Sequence, residues 1–125
     1  MTISEFIGLF PPLEEDTSGI LIETEEYRYC GDRECRRADA ARILHQYLKK
    51  IKKFPDLTDF STLKDIKDLY DCRICANAIA QALLRKIMEP VKIPTGESSY
   101  ITIFDLETKI TREEAESAIS RVISL

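Results

Sequence analysis

Apolar side chains along this chain recur mostly at helical spacing. Ala40, Ile43, Leu44, Tyr47, Leu48 and Ile51 stand three or four residues apart and mark the inward stripe of a helix that Pro55 must end. After Phe54-Pro55-Asp56, the positions Leu63, Ile66 and Leu69 or Tyr70 predict a second helix over about residues 62–70. Asp71 is suited to cap a third, over about residues 72–88, which turns Cys75, Ile79, Ala82, Leu83 and Ile87 inward and stops before Pro90. The clearest start belongs to the last helix. Thr111-Arg112-Glu113-Glu114 is a capping box, followed by the stripe Ala115, Ala118, Ile119, Val122 and Ile123.

The remaining segments are shorter. Residues 3–10 predict a brief amphipathic helix stopped by Pro11-Pro12. Residues 14–18 read as a loop, and Ile20-Leu21-Ile22 as an extended run. Residues 90–104 are irregular except for Tyr100-Ile101-Thr102-Ile103-Phe104, whose β-branched content predicts a strand. The expectation is an all-α or mainly α fold, a compact helical bundle with short extended pieces near 20–22 and 100–104.

Length and composition set the frame. A chain of 125 residues is one domain by size, long enough to bury a modest core without obligatory disulfides or metal. With 44% hydrophobic and 32% charged residues, wholesale disorder is excluded. No apolar run approaches the roughly 18 residues that a transmembrane helix needs. The N-terminus has no basic leader and carries Glu5 inside its apolar stretch, so it does not read as a secretory signal. A native start at Met1 implies a cytoplasmic protein, whereas a fragment of an exported chain would belong at the cell surface. In a reducing cytoplasm the four cysteines would be thiols or metal ligands rather than disulfides.

Charge is uneven. Glu5, Glu14, Glu15, Asp16, Glu23, Glu25 and Glu26 precede Arg28 with no Lys or Arg among them, and the remainder is mildly basic, for an overall −4. An acidic front on a near-neutral body argues against nucleic acid as a partner. The cluster Lys49, Lys50, Lys52 and Lys53 falls where a helix ends, and cations there complement the helix dipole.

The cysteines are the sharpest candidate chemistry. Cys30 and Cys35 bracket a loop in which Gly31 permits a tight turn, and Cys72 and Cys75 form a C-x-x-C at a helix start. Two pairs could offer four thiolates to a tetrahedral zinc. The competing reading makes Cys35 and Cys75 core residues, since cysteine is often buried as a small hydrophobe. We expect packing, with zinc as the alternative and no other cofactor. A C-x-x-C redox role lacks the surrounding βαβ pattern. The one histidine, His45, lies on a helix flank about 15 Å along the axis from Cys35, and nothing orients it as a base. No phosphate-binding, dinucleotide-binding or hydrolase motif is present, so we expect no enzyme.

Two helix starts repeat one another. Arg37-Ala38-Asp39-Ala40-Ala41-Arg42-Ile43-Leu44 matches Arg112-Glu113-Glu114-Ala115-Glu116-Ser117-Ala118-Ile119, with Arg, an acid two places on, then Ala and an apolar stripe. Ile110-Thr111-Arg112-Glu113-Glu114-Ala115 resembles the I-T-R-A-E signature that opens the closing helix of S-layer homology modules. Phe54-Pro55-Asp56 resembles the F-x-D that opens such a module, and Phe104 fits the aromatic before its last helix. Ala78-Ile79 and Lys86-Ile87-Met88 fall where the central helix and its G-I exit belong.

The resemblance divides the single domain 1–125 into an acidic segment 1–34, a helix 35–53 like the end of a truncated module, and a module-like part 54–125. Cys35 then takes the place of Ile110. Lys86 and Glu89-Pro90 stand where the family has glycines, and the connection to Phe104 is longer. What the resemblance implies is a non-catalytic interaction module, with Arg37, Asp56 and Arg112 on the ligand side. Its family grips pyruvylated cell-wall polysaccharide. An arginine at a helix start can equally salt-bridge a neighbouring module. The partner is thus expected to be a protein or a cell-wall polysaccharide, reached by a monomer or a homo-oligomer. Other readings are a zinc-stabilised intracellular adaptor and an acidic inhibitor acting through residues 5–26.

Overall fold

The structure, a computed structural model, describes residues 1–11 and 31–125. The expected loop at 14–18, the extended run at 20–22 and Cys30 lie outside the described residues. In chain order there follow α1 (Ile3–Gly8), α2 (Arg37–Gln46), a π-helical turn (Tyr47–Ile51), a 3-10 turn (Ser61–Leu63), α3 (Ala76–Leu84), β1 (Val91–Pro94), β2 (Tyr100–Ile103) and α4 (Arg112–Ile123).

Helix α2 is central, packed against α1, α3 and α4. One hydrophobic cluster joins them. It contains Ile3 and Phe6 of α1, Leu44 of α2, Ile79 and Leu83 of α3, and Ile119 and Val122 of α4, together with Phe104 and Ile110.

The expectation of an all-α or mainly α bundle is overturned, because the fold is mixed α/β. Strands β1 and β2 form an antiparallel sheet in the register Val91↔Ile103, Lys92↔Thr102, Ile93↔Ile101 and Pro94↔Tyr100. The β2 strand falls where its β-branched residues placed it. The expectation that residues 90–99 are irregular is corrected by β1: four residues ending in proline give a weak local signal, and only the β2 backbone supplies their hydrogen-bond partners.

The helix expected at 62–70 is also absent. After the 3-10 turn its backbone is claimed by tertiary partners. Ile66 forms a parallel bridge with Thr102, and the Lys67 amide donates to the Thr102 carbonyl at 3.0 Å. The Asp68 carboxylate accepts the Phe104 and Asp105 amides at 2.6 and 2.8 Å. Helix α3 begins at Ala76 rather than 72, and its cap residue is Cys75, which makes no side-chain cap bond, rather than Asp71. The preceding turn is closed by a Cys72–Cys75 disulfide.

Three helix starts are built alike and tied in series. The Cys35 amide donates to the Met1 carbonyl and the Ile110 amide to the Cys35 carbonyl, each at 2.9 Å. Each start is followed by a helix whose third residue is acidic: Glu5, Asp39 and Glu114. In α1 and α4 this acid completes a capping box with Thr2 and Thr111. In α2 only half the box forms. Asp39 accepts the Arg36 amide at 3.0 Å, but an arginine side chain has no acceptor to return.

Helix α3 ends in a Schellman motif. The Ile87 amide reaches the Ala82 carbonyl at 2.9 Å and the Lys86 amide the Leu83 carbonyl at 3.1 Å. Lys86 adopts φ 58°, the left-handed conformation that glycine takes most cheaply. Gly31, by contrast, needs no left-handed turn. A Cβ there would meet the Ser4 hydroxyl at 2.3 Å, so its role is close approach to α1.

Candidate functional site

A surface groove of about 350 Å³ runs between one side of α4, from Thr111 to Arg121, and the segment 87–91. Arg37 lies at its base, brought there by the first turn of α2, and only 5% of the residue is exposed. Its guanidinium is held on three sides. Nε donates to the Phe104 carbonyl at 2.9 Å, Nη2 to the Glu89 carbonyl at 2.7 Å, and Nη1 to the Glu114 carboxylate. The Phe104 ring lies 4.8 Å from the guanidinium carbon, in cation–π range. A buried charge is tolerable when paired and hydrogen-bonded in this way.

Glu114 serves two elements at once. Its Oε2 faces Arg37, and its Oε1 accepts from the Thr111 hydroxyl at 3.2 Å. The Thr111 oxygen in turn accepts the Glu114 amide at 3.1 Å. The same carboxylate therefore caps α4 and neutralises the base of the groove. On the outer wall Arg121 pairs with Glu89 at 3.3 Å, and Pro90 and Val91 supply apolar surface opposite. Glu113, Ser117 and Arg121 recur at i, i+4 and i+8, so one polar stripe of α4 faces the groove.

The three residues implied by resemblance do not converge. Arg37 acts as the internal clamp just described. Arg112 is exposed on α4 and pairs with Glu116 at 3.5 Å. Its charge adds to the lowering of the Glu5 carboxyl, which owes most to the Thr2 backbone amide. Asp56 sits at the far end of α2, accepting from Asn77 at 3.0 Å and lying 2.7 Å from His45 Nε2 and 3.4 Å from Lys49. His45 follows Arg37 by eight residues of helix, about 12 Å along the axis. Burial alone would raise the Asp56 carboxyl. Hydrogen bonds with His45 and Asn77, and the charges of His45 and Lys49, outweigh it and hold the group below its ordinary value.

The cysteines are divided in a way the spacing did not foresee. Cys72 and Cys75 are joined as a disulfide, which corrects the expectation of thiols or metal ligands. Cys35 is fully buried, and burial pushes its thiol up to about 12. Cys30 lies outside the described residues. Among the described residues no group of three or more His, Cys, Asp or Glu side chains is placed to hold a metal ion. No described helix is long and apolar enough to cross a membrane.

Neither the pairing of Glu114 with Arg37 nor the groove wall at Glu89 and Pro90 leaves a local signal in the sequence. The α4 stripe was visible at helical spacing, but its opposite wall is a tertiary product. Compared with known proteins, the chain matches no family model, no curated protein and no solved structure.

Proposed function

We propose that the protein is a non-catalytic binding module, related in plan to S-layer homology modules, that seats a short segment of polar polymer in the groove between α4 and residues 87–91. The observation that carries this reading is the groove's construction. A buried, three-way-anchored Arg37 makes its base rigid, while Glu113, Ser117 and Arg121 present adaptable polar groups beside the apolar faces of Pro90 and Val91. A few placed polar groups against an apolar wall suit a sugar or peptide segment. The His45–Asp56 contact ties α2 to the segment after Pro55.

Cell-wall polysaccharide is the ligand to test first. Purified protein should co-sediment with pyruvylated wall polymer, and Ser117→Trp should block this by filling the groove from an exposed helix position. Arg121→Ala should weaken it. Co-sedimentation that is unchanged in Ser117→Trp would remove the groove from the proposal, and its absence in the wild type would remove the polysaccharide.

A further inference from the structure

We propose that Cys72–Cys75 is a thiol–disulfide exchange site that accepts electrons from a dithiol, with Cys72 as the attacked sulfur. Four observations carry it. The pair is a disulfide closing a C-x-x-C turn, so it staples almost no chain, and loop-closure stabilisation grows with loop length. The two sulfurs differ in access. Cys75 is only 6% exposed and belongs to the core, whereas Cys72 is half-buried at its edge. Cys75, the sulfur that leaves, also stands at the N-terminus of the nine-residue helix α3. Finally, Tyr70, two residues before Cys72, and Ile74, inside the C-x-x-C turn, are 67% and 73% exposed. They are the most exposed large apolar side chains among the described residues, and offer an apolar landing surface for an incoming protein dithiol.

The exchange balances in two steps. One thiolate of the dithiol attacks Cys72 Sγ, forming a mixed disulfide and expelling Cys75 as a thiolate at the α3 N-terminus. The second thiol of the partner, as its thiolate, attacks the mixed disulfide and releases Cys72. Two electrons pass to the protein, and the partner leaves as a disulfide. The buried Cys35 takes no part.

The test uses the intact chain and dithiothreitol under native conditions, with alkylation and mass-spectrometric mapping of each cysteine. Cys72 and Cys75 should be reduced together while the far-UV circular dichroism is unchanged and Cys35 stays unlabelled. Glutathione disulfide added to Cys75→Ser should form a mixed disulfide at Cys72 at least about tenfold faster than it does at Cys75 in Cys72→Ser. Should either variant fail to fold, acid quenching of the wild-type reaction should trap the mixed disulfide at Cys72. Reduction that requires denaturant would overturn the proposal, and so would equal rates in the two variants or a mixed disulfide found at Cys75. The wall-polymer assay is independent of these readouts.

Discussion

Replacing Arg37 by alanine should be among the most damaging single changes in this protein, and its size can be worked from the structure. The guanidinium is buried, bonds the Phe104 and Glu89 carbonyls at 2.9 and 2.7 Å, and pairs with Glu114. Breaking a buried ion pair from one side typically costs about 3–5 kcal/mol. Glu114 has a side chain 38% exposed and can regain water, which favours the lower figure. The carbonyls add to the loss, since hydrogen bonds to charged groups contribute about 1.5–3 kcal/mol each. An overall cost of about 3–5 kcal/mol is a large part of a typical domain's roughly 5–15. With urea slopes of about 1–3 kcal/mol/M, the unfolding midpoint should fall by about 1–5 M, read by far-UV circular dichroism. Arg37→Lys keeps the charge but cannot make the three-way fork, and should fall between the two. A midpoint within about 0.3 M of wild type for Arg37→Ala would refute the clamp.

Other perturbations test separate parts of the argument. Thr111→Ala removes the acceptor for the Glu114 amide and loosens the carboxylate facing Arg37, so it should cost about 0.5–2 kcal/mol, visible as a lower denaturation midpoint. Lys86→Gly should stabilise by about 0.5–1 kcal/mol, because the left-handed strain at φ 58° outweighs glycine's entropy in the unfolded chain; a destabilised variant would refute this. Asp56 has a folded pKa below its unfolded value, so its contribution is present above about pH 4 and is lost as pH falls through the folded value. The stability difference between wild type and Asp56→Asn should therefore shrink on acidification below about pH 4, and a gap that persists in acid would contradict the pairing. Cys35, with its thiol raised to about 12, should resist thiol reagents at about pH 8 in the native protein and react on unfolding, as peptide mapping would show.

Much of the helical framework was legible in the chain itself. The stripes through Leu44, Ile79, Leu83, Ile119 and Val122 meet in one core because a buried helix face must recur every three or four residues. The Thr111–Glu114 box stands where the motif put it, since both partners lie within one turn of the same helix. Lys86 occupies a left-handed helix exit even though the residue there is not glycine, because the Schellman hydrogen bonds impose the conformation on whatever side chain is present.

Tertiary structure decided the rest, wherever a residue's partner lies far along the chain. Residues 62–70 have a helical pattern, yet Ile66, Lys67 and Asp68 bond to the backbone around Thr102–Asp105, and such partners outcompete a short helix whose nucleation is costly. The β1 strand exists only through its pairing with β2. Arg37 and Arg112 look equivalent in the repeat, but one is enclosed by Phe104, Glu89 and Glu114 while the other stands in solvent beside Glu116. The sequence determined which side chains open and cap the helices, because those are local bonds. Which of them became the base of a groove depended on which long-range neighbours the packed core brought within hydrogen-bonding distance.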